Sequence, residues 1–364
     1  MDMLDYKLAV FIERLYKITA AGINSIAKEL GLPYSVFQSR VNQLTNLGFG
    51  FRGLIDVLKL KLREVYIITE NDPPLYNVEE IKFLRNMSAL IPRGGFLIFY
   101  LPFEITLDTF IRNLKKEYGI VTKEALEIVF KELKKTSLLR YRWSLRTLDN
   151  AWNLNEWHKI IEDFFNLIES PYFKESSEDF VKARFFQEYQ HVMRYKKLPL
   201  DSLGLAVLKE LEKDPLRRVR DIAEKVEIPF KKALKYVRTI ISQGIYRGIR
   251  LRKTPWGRFT DLYVIVILRT YNFSNALAFT EAATRFPLNA STVIDTKGNT
   301  VTVFRINSKI YNVFKRFLED VEHELGFKVE WLGASPLSLV KKYTIPFKQG
   351  FEYSKYKKGW LSEF

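Results

Sequence analysis

Residues 26–48 read IAKELGLPYSVFQSRVNQLTNLG, and residues 222–244 read IAEKVEIPFKKALKYVRTIISQG. At one constant offset, Ile26/Ile222, Ala27/Ala223, Pro33/Pro229, Val41/Val237 and Gly48/Gly244 are identical. Leu30/Val226, Leu32/Ile228, Tyr34/Phe230 and Leu44/Ile240 keep their character. An aromatic-Arg-Gly triplet follows each copy, Phe51-Arg52-Gly53 in the first and Tyr246-Arg247-Gly248 in the second. So long a period is not a solenoid unit, so the chain contains two related halves.

Each copy predicts a short helix, a tight turn and a longer helix that stops at glycine, which is the pattern of a helix-turn-helix. With the helix before it, copy one predicts helices over 5–19, 24–30 and 33–47, with Pro33 in the first turn of the third. Copy two predicts helices over 202–213, 218–226 and 229–243. Apolar spacing assigns Phe37, Val41 and Leu44 to one core, and Val237, Ile240 and either Ala233 or Leu234 to the other. The basic tract after Gly244 has room for a two-stranded wing.

A second pattern follows each motif. In the first half the periodicity predicts a strand at Val65–Ile68, a helix at Val78–Met87 and strands at Ser88–Ile91 and Phe96–Tyr100. A helix at Leu107–Tyr118, closed by Gly119, and a strand within Ile120–Phe130 complete it. In the second half the strands are Leu262–Leu268, Thr292–Asp295, Val301–Ile306 and Lys328–Leu332, with helices at Asn275–Arg285 and Ile310–Leu325 and a turn at Lys297-Gly298-Asn299. Both halves read βαββαβ, a ferredoxin-like sandwich. The expected fold class is α+β, with two winged helix-turn-helix domains and two ferredoxin-like modules forming an intramolecular pseudo-dimer. The expected units are winged helices at 1–63 and 201–260, ferredoxin-like modules at 64–130 and 261–346, a helical insert at 131–200 and a basic-aromatic tail at 347–364.

The order of these elements resembles the Lrp/AsnC family of feast/famine regulators. The local likeness is carried by Leu30-Gly31-Leu32, Arg40-Val41, Leu44 and Gly48-Phe49-Gly50. Fusion of two units and the Lys225-Val226-Glu227 turn of copy two depart from the family's usual form. The resemblance implies dimerisation through the ferredoxin-like modules and sensing of a small-molecule effector. The insert has no counterpart in the family. Amphipathic patterns at 155–169 and 178–195, the second behind a Ser176-x-x-Asp179 capping box, make it a helical bridge or a docking surface for a protein partner. The tail packs on the body or touches nucleic acid.

The formal net charge is +16, and its densest stretch is 228–260, where no Asp or Glu occurs. A basic surface also suits membranes or acidic proteins, but here it coincides with a DNA-binding motif, so double-stranded DNA is the expected partner. The exposed face of the third helix predicts base readout by Ser35, Gln38, Ser39, Asn42 and Gln43, flanked by Arg40 and with Arg52 behind. In copy two the corresponding face carries Lys231, Lys232, Lys235, Tyr236 and Arg238, and the wing carries Arg247, Arg250, Arg252, Lys253 and Arg258. The sequence reading is therefore a transcriptional regulator or a replication-origin binder, acting as a monomeric pseudo-dimer or a homo-oligomer.

With no Cys, thiolate chemistry and Cys-ligated metals are excluded. His158, His191 and His323 show no metal-ligand spacing, and no glycine-rich phosphate loop or GxSxG motif occurs. No catalytic residue, metal or cofactor is expected. Fused chains of this build also occur among sirohaem decarboxylases, which use His and Arg in the α1–β2 region. The corresponding stretches here, Met87-Ser88-Ala89-Leu90-Ile91-Pro92 and Phe286-Pro287-Leu288-Asn289-Ala290-Ser291, hold no His, which weighs against an enzyme. No apolar run approaches about 18 residues and no signal-peptide pattern opens the chain, so a cytoplasmic, nucleoid-associated protein is expected.

Overall fold

In the computed structural model of the chain, the described residues are 6–74, 81–131, 154–170, 200–253, 260–284, 289–342, 353–354 and 359–360. The first copy of the repeat folds as α1 (Tyr6–Leu15), α2 (Ile23–Glu29) and α3 (Tyr34–Asn46). Phe37, Val41 and Leu44 are buried as their spacing predicts, and Phe11 meets Phe37 edge to face at 5.6 Å. Then come β1 (Gly50–Ile55), β2 (Leu62–Thr69), β3 (Leu84–Ala89), β4 (Gly95–Pro102), α4 (Leu107–Tyr118) and β5 (Thr122–Lys131). The insert contributes α5 (Leu154–Glu169). The second half repeats the order with α6 (Ser202–Lys213), α7 (Val219–Lys225), α8 (Phe230–Ser242) and β6 (Tyr246–Lys253). It continues through β7 (Leu262–Arg269), α9 (Phe273–Thr284), β8 (Asn289–Asp295), β9 (Thr300–Ile306), α10 (Tyr311–Leu325), β10 (Lys328–Pro336) and β11 (Val340–Lys342). A short pairing of β12 (Tyr353–Ser354) with β13 (Gly359–Trp360) lies in the tail.

The wings depart from expectation. Copy two builds no two-stranded wing among its described residues. Instead β6 pairs antiparallel with β1 of copy one, setting Arg250 opposite Arg52 and Ile249 opposite Gly53. The duplicated triplet explains the exchange. A Cβ on Gly53 would stand 2.5 Å from the carbonyl oxygen of Leu211 in α6, and one on Gly248 would stand 2.5 Å from that of Ile18, just beyond α1. Each strand therefore presses on main chain of the other copy, at a distance only glycine permits. Two further cross-copy bonds run from the Gly22 N–H to the Pro215 carbonyl, 2.9 Å, and from the Asp56 N–H to the Ile245 carbonyl, 2.8 Å.

The two ferredoxin-like units share one nine-stranded sheet in the order β10-β7-β9-β8-β5-β2-β4-β3-β11. Their edges join antiparallel at β5 and β8, with Ile128 opposite Asp295. At the far ends β11 covers β3, Lys342 lying opposite Asn86, and Ile91 bridges Ala334 of β10. The outer strands thus meet, and the sheet closes on itself. One face carries the helices, through Phe99 against Phe110 of α4 at 4.8 Å and Phe304 against Phe314 of α10 at 5.1 Å. The opposite face turns inward, so every residue of β4 and nearly every residue of β2 is buried. Outside, α5 packs on α9 and α10, with Phe164 5.6 Å from Phe327 and the His158 ring 6.0 Å from that of Phe317.

The helix predicted at 78–87 does not appear among its described residues. Of the stretch 78–87, residues 84–87 belong to β3, and 75–80 lie outside the described residues. A bulge at Arg85 sets Leu84 opposite Phe99 and Met87 opposite Leu97, so two residues three apart share a face. In sequence that spacing reads as a helical period. The helix expected at 178–195 also lies outside the described residues.

The glycine contacts make a stability prediction. Gly248→Ala must relieve both the Ile18 contact and a φ of 124°, and should cost about 1–3 kcal/mol or more in urea unfolding. Gly31→Ala, with φ 66° but open space around it, should cost only about 1 kcal/mol. Equal losses at the two positions would remove the close-approach argument.

Candidate functional site

The expected DNA-reading residues separate into two groups. On α3, Ser35, Ser39, Asn42 and Gln43 are exposed and Gln38 and Arg40 half-buried. Gln38 donates to Asn42 at 2.9 Å, and Arg40 lies over the Phe11 ring at 5.6 Å. On α8, Lys231, Lys232, Lys235 and Arg238 are exposed, and Lys231, Lys235 and Arg238 line a shallow depression with Leu234, Thr239 and Ser242. Tyr236 faces the other way. Its hydroxyl donates to Asp201 at 2.7 Å, and Asp201 also caps α6 by accepting from the Gly204 N–H. Burial and this carboxylate push the Tyr236 phenol up to about 12.

Of the wing cations whose side chains are described, Arg52 and Arg247 make ion pairs within the molecule. Arg247 pairs with Asp56 at 2.5 Å. Arg52 pairs with Glu212 of α6, which also accepts from Arg85 at 2.6 Å. Because β1 pairs with β6, Arg250 sits beside Arg52, half-buried. The side chains of Arg252 and Lys253, and all of Arg258, lie outside the described residues.

A polar cluster forms where the exchanged strands meet the closed sheet. From the first unit come Glu64 and Tyr66 of β2, Arg85 and Asn86 of β3 and Tyr100 of β4. From the second come Tyr263 of β7, Arg305 of β9 and Lys342 of β11. Arg85 lies 5.5 Å from the Tyr100 ring, and Arg305 lies 5.3 Å from the Tyr263 ring. Lys342 Nζ stands 2.5 Å from the Tyr263 hydroxyl, and Tyr66 donates to Glu64 at 3.1 Å. Among the described residues of the cluster, Arg52, Arg85, Arg250, Arg305 and Lys342 outnumber Glu64 and Glu212. Two buried atoms of the cluster, Arg305 Nε and Asn86 Oδ1, have no hydrogen-bond partner among the described residues.

The two inward tyrosines are pushed in opposite directions. Burial and the adjacent Glu64 hold Tyr66 well above the ordinary phenol value. Burial also raises Tyr263, but the charges of Arg305 and Lys342 outweigh it and bring the phenol below its ordinary value. Burial lowers the Lys342 ammonium; Arg305 and Arg250 act the same way and Tyr263 opposes them. At the other end of the sheet Arg269 of β7 ties the units together, reaching Glu124 at 2.8 and 2.6 Å and Glu330 at 3.0 and 2.6 Å.

Sequence reasoning named Arg52 and Arg250, but as DNA contacts, and missed the other members of this cluster. A signal was present, since Tyr263 and Arg305 interrupt strands rich in apolar and β-branched residues, and Arg63-Glu64 and Arg85-Asn86 place charge at the start of two others.

No protein-family model matches the sequence, and no curated protein matches it either. Among solved structures, the sirohaem decarboxylase NirDL in complex with an iron-uroporphyrin III analogue aligns over 91% of this chain and 90% of its own, with a TM-score of 0.52 and 10% identity. B. subtilis LrpC aligns over 37% of this chain with a TM-score of 0.31 and 14% identity, and an AsnC family transcriptional regulator from Agrobacterium tumefaciens over 41% with a TM-score of 0.32 and 22% identity. The chain has a tandem Lrp/AsnC-like fold. The structure that aligns over nine-tenths of the chain is that of an enzyme. That finding overturns the reading as a DNA-binding regulator or origin binder, and with it the expectation of no enzyme. Among the described residues no helix is long and apolar enough to cross a membrane.

The cluster predicts its own cost. Glu212 is 2% exposed and shared by Arg52 and Arg85. Glu212→Gln removes the buried carboxylate that the two guanidinium groups share and should destabilise the fold by about 3–5 kcal/mol. Urea denaturation measures this, and a change below about 1 kcal/mol would mean the pair is solvated rather than structural.

Proposed function

We propose that this chain is an enzyme of the sirohaem-decarboxylase type, acting on a tetrapyrrole that bears several carboxylates. The observation that carries the reading is the cation excess at the seam of the two halves. Bringing Arg52, Arg85, Arg250, Arg305 and Lys342 together costs free energy unless anions offset them. Glu64 and Glu212 offset part. A polycarboxylate would supply the remainder, and Arg305 Nε–H, which has no partner among the described residues, can donate to it. The spanning likeness to a sirohaem decarboxylase supports the class, since both chains fuse two such units.

In this reading Arg305 and Arg250 grip ligand carboxylates, while the buried Tyr66, bonded to Glu64, and Tyr100, under Arg85, back the site. No described histidine lies in the cluster. His158 stands on α5 beside Glu324, 3.8 Å away, and His323 is exposed on α10. The cluster's own contribution is therefore electrostatic grip and proton delivery. The closed sheet and the exchanged strands fix those groups relative to one another before ligand arrives.

The test is an absorbance titration with sirohaem and with iron uroporphyrin III, followed by mass analysis of the tetrapyrrole. Saturable binding and stepwise loss of CO2 are expected, and a porphyrin without carboxylates should not bind. Arg250→Ala with Arg305→Ala should weaken binding by about tenfold or more, the loss expected for charge-assisted bonds. Absence of binding, or binding that ignores both substitutions, overturns the reading.

A further inference from the structure

We propose that Lys342 is the acid of the reaction and that Tyr263 is its positioning residue. The assignment rests on the decarboxylase reading and deepens it. In the step, the bond between the carboxylate carbon and the methylene of an acetate side chain breaks, and CO2 leaves. The bonding pair stays on the methylene carbon, conjugated with the macrocycle. Lys342 Nζ–H then gives that carbon a proton, making a methyl group, and the neutral amine regains a proton from water. No oxidant or reductant enters.

Geometry selects Lys342. It is the last residue of β11, the strand that covers the β3 edge, and it is exposed as a residue while its amine is pinned 2.5 Å from the Tyr263 hydroxyl. Its amine also lies over the Tyr263 ring, 4.6 Å from the centroid. The other donors of the cluster serve less well. Guanidinium groups do not release protons at neutral pH. Tyr66 is 1% exposed and is held protonated by burial and Glu64. Tyr263 is 5% exposed and lies behind Lys342.

The charges around Lys342 come from several elements. Arg305 of β9 and Arg250 of β6 lower its ammonium, as burial does, and Tyr263 of β7 raises it. A general acid works best when its pKa is near the working pH, so these shifts run in the useful direction. Two titratable groups with opposed environments in one site are a recognised mark of acid and base assignment, and Tyr66 against the Tyr263–Lys342 pair fits it.

The sign of the pH effect follows. The acid must carry its proton, so turnover falls as pH rises through the Lys342 pKa. Tyr263→Phe removes the group that holds the proton while Arg305 and Arg250 remain, so the basic limb should move to lower pH. Lys342→Arg keeps the cation but cannot give up its proton, so it should bind sirohaem like the unaltered chain and turn over about 100-fold more slowly. Thermal melting checks that both variants fold as the unaltered chain does. Binding and CO2 release are measured for the three proteins between mildly acidic and alkaline pH. An unaltered chain that binds sirohaem but releases no CO2 overturns the decarboxylase reading and this assignment with it. An active unaltered chain beside an equally active Lys342→Arg, or a Tyr263→Phe with an unmoved pH limb, overturns this assignment alone.

Discussion

The pairing of β1 with β6 is the constraint on which the rest of the molecule depends. It is made of backbone bonds and of two glycines that admit the other copy's carbonyls. Once the strands are exchanged, their side chains cannot stay on the surface. Arg52 and Arg250 come to lie side by side at the centre, and Arg247 turns to Asp56. The strongly basic tract that looks like a nucleic-acid face is thereby split. Its α8 part remains outside, and its described strand part becomes internal.

Internal cations must be answered by something. Here the answer is partial and graded. Glu212 takes two guanidinium groups, Glu124 and Glu330 take a third at the far end of the sheet, and aromatic faces take Arg85 and Arg305. Around Tyr263, the Nε of Arg305 has no hydrogen-bond partner among the described residues. On the proposed reading, an anion seated beside Arg305 supplies that missing bond. The likeness to NirDL adds that a similar layout of elements exists in an enzyme.

The duplication was legible because helical spacing and glycine stops survive divergence. Phe37, Val41 and Leu44 lie where that spacing puts them, as do the strands of the second unit. The triplets Phe51-Arg52-Gly53 and Tyr246-Arg247-Gly248 were visible as well, but their meaning was not. A glycine that follows Arg in a strand reads as a turn or a weak strand, and only the partner's backbone reveals it as a contact. The β3 bulge shows the same limit, since it turns a strand into a helical period. The site was hidden for a further reason. Tyr263, Arg305 and Lys342 are distant in sequence; the first two are ordinary interruptions of largely apolar strands, and Lys342 ends the short strand Val340-Lys341-Lys342. What joins them is register, which no local pattern encodes.

The closed sheet has a consequence for how copies of this chain meet. Its halves bind each other through strands that are alike, so the half of a second molecule could in principle take the same place. Joining the halves in one chain gives the internal partner an effective concentration on the order of millimolar. At micromolar protein the internal pairing therefore prevails. With β11 laid over β3 and β10 bridged to Ile91, the sheet also presents little open edge for a neighbour's strand. The architecture that two separate subunits would have to find by collision is here a property of folding, and dilution does not take it apart.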